Sequence, residues 1–172
     1  QATTDVDVAA KLTQGMLEMV AADVRSWLES GIAFQHVGVN ISSADFHSGP
    51  LYDRISQALA RENVPLKPVI LEVTESVYLG QNDPVVAQEI KALWANGLRI
   101  ALDDFGTGFA SLTHLLTVPV DIIKIDKSFV EQLRLGDRGM AIHEGLIGLA
   151  KKLAIRVIAE GIETEDQGRL LE

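Results

Sequence analysis

Apolar residues along this chain alternate between two spacings. Short β-branched runs occur at His36–Ile41, Pro68–Val73, Leu98–Asp103, Asp121–Asp126 and Ile155–Glu160. Their nearly unbroken apolar character predicts strands covered on both faces. The stretches between them have helical spacing. Met16, Leu17, Val20, Val24, Trp27 and Leu28 fall on one helical face, with Gly31 as its stop. Leu51, Ile55 and Leu59 mark a second helix. Asp83 and Pro84 provide an N-cap followed by proline at the first helical position, and Gly97 closes that helix. Ser128 with Glu131 and Thr164 with Gln167 have capping-box spacing, and a longer helix between them carries Ile142, Leu146, Ile147, Leu149, Ala150 and Leu153. Trp27 and Trp94 are expected in the core. The predicted order is α-β-α-β-α-β-α-β-α-β-α, the signature of an α/β fold whose parallel strands are joined by crossover helices.

Each predicted strand ends abruptly in polar residues. Val37-Gly-Val runs into Asn40, Val69-Ile-Leu into Glu72, and Ile100-Ala-Leu into Asp103-Asp104. Ile122-Ile runs into Lys124 and then Asp126, and Val157-Ile-Ala into Glu160, with Glu163 following. Parallel strands present their carboxyl ends on one rim, so these residues are expected to converge as in the active site of a (β/α) barrel. A single carboxylate at a strand end is more often a loop residue or a helix cap than a ligand, and Lys124 with Asp126 could be a structural ion pair. Several unpaired acids at the ends of buried strands would each cost several kcal/mol, on the order expected for burying charge. One lysine cannot neutralise them all, whereas bound divalent cations can.

Composition narrows the chemistry. The 172 residues are 47% apolar and 23% charged, enough apolar material to bury a core. There is no cysteine, which excludes disulfides, thiolate metal sites and a cysteine nucleophile. All-oxygen donors then favour Mg²⁺ or Mn²⁺. The four histidines, His36, His47, His114 and His143, are scattered and read as surface or structural residues. A net charge of −9 makes DNA, RNA and anionic membranes poor partners. No segment approaches the length of a membrane span, and the expected location is cytoplasmic.

Five segments together resemble the EAL domain family, bacterial phosphodiesterases that hydrolyse cyclic di-GMP. They are Val39–Phe46, Leu71–Ser76, Ala101–Leu112, Ile123–Phe129 and Val157–Thr164. The resemblance implies an incomplete (β/α) TIM-type barrel with Asn40, Glu72, Asp103 and Asp104 as metal ligands, the two aspartates serving a two-metal site. It implies that Lys124 positions the attacking water, Glu160 completes the site, Glu163 is a supporting acid and Asp126 assists the second metal. Glu75 would hold the Asp104–Gly108 loop, which includes Thr107 and draws its mobility from Gly106 and Gly108. The implied reaction opens cyclic di-GMP to linear pGpG, with two cations about 4 Å apart activating water and stabilising phosphate oxygens.

The chain departs from that family in two places. The Glu-Ala-Leu tripeptide that names it is absent from the 172 residues, as is a C-terminal Gly-Tyr-Leu-Phe-type strand bearing a glutamine. A barrel needs eight strands and typically about 250 residues, so about five of eight are expected here, in a domain cut at both ends. Unpaired sheet edges then favour a homodimer or strand-exchanged oligomer. Sensory or diguanylate-cyclase domains are expected elsewhere in the parent protein. The chain alone is expected to be weakly active or inactive. The competing readings are a module that binds cyclic di-GMP or dimerises without catalysis and, more remotely, an unrelated metal-dependent barrel enzyme.

Overall fold

A computed structural model describes residues 2–78, 83–106, 115, 118–128, 130, 137–165 and 168. The elements run α1 (Ala2–Glu29), β1 (Val37–Asn40), α2 (Ser43–Phe46), α3 (Leu51–Arg61), β2 (Val69–Thr74), α4 (Glu75–Tyr78), α5 (Pro84–Ala95), β3 (Arg99–Phe105), β4 (Ile122–Ile125), α6 (Asp137–Lys152) and β5 (Arg156–Ala159). All five predicted strands are present, and the sheet order is β1-β2-β3-β4-β5. Sequential strand order, with helices in the described connections, is the winding of a (β/α) barrel, and among the described residues the sheet is not closed. The segment between β3 and β4, predicted to hold a helix, lies largely outside the described residues.

The chain divides into two compact units, Gln1–Glu72 with Asn82–Arg99, and Val73–Gln81 with Ile100–Glu172. In the first, β1 and β2 pair in parallel with Val37 opposite Val69 and Asn40 opposite Glu72. Leu17, Ala21 and Val24 of α1, Leu51, Ile55 and Leu59 of α3, and Val86, Ile90 and Leu93 of α5 supply its buried helical faces. In the second, β4 pairs in parallel with both β3 and β5. Ile100, Leu102, Ile122, Ile123 and Ile125 form its strand core, with Leu146 and Ala150 of α6 also buried.

Four helices end the same way. The amide five residues on donates back into the last turn in Ile32 to Trp27, Val64 to Leu59, Leu98 to Leu93 and Ile155 to Ala150. The residue before each donor, Gly31, Asn63, Gly97 or Ala154, has positive φ. This Schellman-type closure uses up last-turn carbonyls and aims the chain at the next strand. Sequence reading flagged only the two glycines. Asn63 is a weaker signal of the same kind, since asparagine tolerates positive φ, and Ala154 carries none. The predicted start of α5 is present, with Asp83 accepting from the Val85 amide at 2.9 Å. The start after β4 is capped two residues earlier than predicted, at Asp126. Lys127 and Ser128 are already helical, and Asp126 accepts from the Ser128 amide at 2.8 Å. Glu131 and Gln167 lie outside the described residues.

Three apolar side chains expected on buried faces are exposed. Trp94, Leu28 and Ile142 are 48%, 44% and 59% accessible. Trp94 sits one position beyond Leu93, rotated off the buried stripe of α5. In the last turn of α1, Trp27 makes an edge-to-face contact with Phe34 at 5.4 Å, while Leu28 on the adjacent position faces water.

Candidate functional site

The polar residues of the first unit are set by strand pairing. Asn40 and Glu72 are register partners, so their side chains leave the same face of the β1–β2 pair. The Ile41 amide donates to the Glu72 carbonyl at 2.9 Å, which extends the pairing past both residues. Beneath the Glu72 carboxylate the sheet has no side chain, because the neighbouring position on β1 is Gly38. The turn after Asn40 is fixed by Asp45, whose Oδ2 accepts from the Ser42 amide at 2.9 Å and the Ser42 hydroxyl at 2.6 Å. Asp45 is buried and faces Arg54 at 3.5 Å. Arg54 also donates to Ser48 Oγ and to the Ala10 carbonyl. Sequence reasoning missed Gly38 and Asp45. Their signals were a glycine inside a strand pattern and a Ser-x-x-Asp spacing.

In the second unit a β-bulge carries the acidic pair. Leu102 is opposite Ile123 and Phe105 is opposite Ile125, so Asp103 and Asp104 together face Lys124. Two residues against one bends the strand and re-aims its side chains, a device common beside active sites. Asp104 takes φ 55, a left-handed conformation that aspartate tolerates better than most residues. Its amide donates to Asp103 Oδ1 at 3.0 Å. One residue on, the Gly106 amide donates to Glu75 Oε2 at 2.9 Å, and Glu75 is almost fully buried. Glu75 thus meets the start of the Asp104–Gly108 loop at Gly106, while Thr107 and Gly108 lie outside the described residues.

Lys124 joins two acids. Its Nζ lies 3.1 Å from Asp103 Oδ1 and 2.9 Å from Glu160 Oε1. Glu160 reaches it because β5 pairs in register with β4, with Lys124 opposite Ile158, and the Glu160 amide donates to the Ile125 carbonyl at 3.0 Å. Just beyond, Lys127 Nζ meets Glu163 Oε1 at 2.5 Å, and this ammonium holds the Glu163 carboxyl below the ordinary glutamate range. Asp126 accepts from both the amide and the hydroxyl of Ser128. Those bonds hold its pKa below the usual aspartate value, so the residue serves first as a helix cap.

The balance of charge in this cluster is negative. The carboxyl of Asp104 is raised above its ordinary pKa, chiefly by desolvation and then by repulsion from Asp103, Asp126 and Glu160, with Lys124 opposing. Three carboxylates thus act on that of Asp104, with the Lys124 ammonium set against them. Oxygen donors with surplus negative charge suit a hard divalent cation, and in that respect the residues fit the expected metal. Among the described residues, no three His, Cys, Asp or Glu side chains already stand in a ligand-like group. Of the histidines, His47 pairs with Asp83 at 2.9 Å in the first unit, a contact far in sequence from every strand-end acid of β3 to β5. His114 and the His143 side chain lie outside the described residues. No described helix is long and apolar enough to cross a membrane.

Comparison with known proteins accords with this arrangement. The sequence matches the family model of the EAL domain over residues 1–172. It is 33% identical over 163 residues to the bifunctional diguanylate cyclase/cyclic di-GMP phosphodiesterase MucR of Pseudomonas aeruginosa, which covers 94% of this chain and 23% of that protein. The chain therefore spans about a quarter of that relative. The fold is similar to a PaMucR phosphodiesterase in complex with c-di-GMP, with TM-score 0.85 and 31% identity over 99% of this chain and 68% of the other. It is also similar to Klebsiella pneumoniae BlrP1 in a manganese/cy-diGMP complex, with TM-score 0.76 and 26% identity over 90% of this chain and 40% of the other. Strand order, the acids at the strand ends and the whole-length match agree, and the chain belongs to the EAL domain family.

Proposed function

We infer that this chain is the cyclic di-GMP phosphodiesterase region of a larger bacterial signalling protein, cleaving the cyclic dinucleotide to linear pGpG by two-metal hydrolysis. The observation that carries the reading is the Asp103-Asp104 bulge facing Lys124, with Glu160 on the same ammonium. Asn40 and Glu72 of the first unit, and Asp103, Asp104, Asp126 and Glu160 of the second, are the proposed ligands for Mg²⁺ or Mn²⁺. When bound, such cations lower the pKa of water and stabilise charge on phosphoryl oxygens.

The protein's own groups do the rest. Lys124 is the proposed donor to the attacking water, and Asp103 and Glu160 fix its ammonium in place. Glu75 holds Gly106 and with it the turn that follows Asp104. Glu163 supports the Glu160 segment through Lys127. Location in the cytoplasm and further domains in the parent protein belong to the same proposal, as does assembly into a homodimer or strand-exchanged oligomer. Among the described residues β1 and β5 are the edge strands of the sheet, and open edges invite pairing. Sedimentation velocity should therefore show species larger than a monomer.

The test is incubation of the chain with cyclic di-GMP and Mg²⁺ or Mn²⁺, with chromatography for pGpG, beside Asp103→Asn. Slow, metal-dependent pGpG formation that the variant abolishes supports the reading, and product formed equally by the variant overturns it. A second reading is a module that binds cyclic di-GMP or dimerises without turnover. It draws on Lys124 bridging Asp103 and Glu160 with no ligand-like trio among the described residues. Calorimetric binding of cyclic di-GMP without pGpG would select it.

A further inference from the structure

Glu75 and Tyr78 sit at the two ends of α4, one helical turn apart, and both side chains are buried. Positions three apart share a helical face. Glu75 accepts from the Gly106 amide at 2.9 Å, and the Tyr78 hydroxyl donates to the Val118 carbonyl at 2.9 Å. Gly106 follows the last residue of β3, and Val118 precedes β4. This short helix therefore grips both ends of one connection, the one that leaves the acidic bulge.

A four-residue helix has little internal hydrogen bonding to hold its own orientation. Its direction must come from what its side chains are tied to. If α4 turned about its axis, Tyr78 and Glu75 would move together, and the Glu75 carboxylate would leave the Gly106 amide. That amide closes a strained stretch in which Asp104 has φ 55 and Gly106 has φ 100. Burial raises the Tyr78 pKa, so the hydroxyl stays a donor at neutral pH.

We propose that Tyr78 is a positioning residue that acts through Glu75 to hold the Asp103-Asp104 bulge in its working geometry. Its structural half stands on the two hydrogen bonds, and its consequence for turnover rests on the phosphodiesterase reading above. Tyr78→Phe removes the hydroxyl and keeps the ring. In that variant the Gly106 amide should exchange with solvent about 2- to 10-fold faster relative to the Ile123 amide in β4, the range for losing one hydrogen bond. kcat should fall by a similar factor with KM unchanged. In a cycle with Glu75→Ala, the double variant should exchange and turn over no worse than Glu75→Ala alone.

Unchanged relative exchange at Gly106, equal acceleration at Gly106 and Ile123, or independent multiplication of the two effects would each overturn the proposal. The last two would leave Tyr78 as general scaffold. If the unsubstituted chain makes no pGpG, the phosphodiesterase reading fails while the exchange cycle still decides the role of Tyr78.

Discussion

The Glu72 carboxylate lies over Gly38, the residue two before its register partner Asn40. A Cβ placed on Gly38 would stand 2.2 Å from Glu72 Oε1 and 2.5 Å from its Cδ. Those atoms are the end of a flexible side chain, so it is the carboxylate that would yield. Gly38→Ala should cost little stability, on the order of 1 kcal/mol or less by comparison with overpacking of rigid cores. Activity should drop toward that of Glu72→Gln. A melt near the parent's together with lost turnover is the expected pair of results, and full activity would show that Glu72 has no fixed position to protect.

Lys124 balances two acids, and removing it leaves both uncompensated. The side chains of Lys124 and Asp103 are mostly buried, while Glu160 is 42% exposed and partly screened by water. Lys124→Met should destabilise the protein by about 1–3 kcal/mol, below the full cost of orphaning a buried ion. Adding Asp103→Asn should restore part of the loss. Denaturant titrations of the three variants at neutral pH measure both, and an unchanged midpoint for Lys124→Met would mean that the bridge carries no stability.

Asp104 provides a pH signature with a defined sign. Its pKa is raised in the fold, so folding favours its protonated form. The stabilisation from that proton is complete below the ordinary aspartate pKa and is lost as pH rises through the folded value. At neutral pH the ionised group is a burden, and Asp104→Asn should be the more stable protein by a few tenths of a kcal/mol, roughly the size of exposed charge interactions. The advantage should vanish below the ordinary aspartate range, and asparagine suits the positive φ. Melting curves across acid and neutral pH check this, and a constant difference would assign the effect to something other than charge.

Gly161 follows Glu160 with φ 67, and a Cβ there would come within 2.6 Å of the Lys127 side chain. Both the backbone and the space select glycine. Gly161→Ala should cost about 1–2 kcal/mol for the left-handed conformation alone. It should also part Lys127 from Glu163, which now meet at 2.5 Å. Loss of the Lys127–Glu163 coupling in a double-mutant cycle on the Gly161→Ala background tests the second effect.

β2, β3 and β4 were legible because burial on both faces writes a continuous apolar run. β1 and β5, expected to be covered in the same way, are only partly buried. Each run ended where its polar residue began. Asn40, Glu72, Asp103, Lys124 and Glu160 could be picked out from that break alone. The end of β3 lies further on than expected. The predicted run stops at Asp103, whereas the strand continues to Phe105, since a bulge leaves no mark on local spacing. Trp94 was misassigned because the apolar stripe of α5 is defined by what it packs on, and one step of helical rotation moves a side chain from core to water.

Local order therefore came from the sequence by itself: which segments are strands, which helices connect them, and which acids stand at strand ends. These depend on periodicity and on residues within a few positions of one another. Tertiary structure alone decided that Asp103 and Glu160 share the ammonium of Lys124, that Asp104 faces the same lysine from a bulge, and that Gly38 leaves room for Glu72. Each is a relation between different strands, set by their register, and no spacing along a single segment encodes which residue of the neighbouring strand will lie opposite.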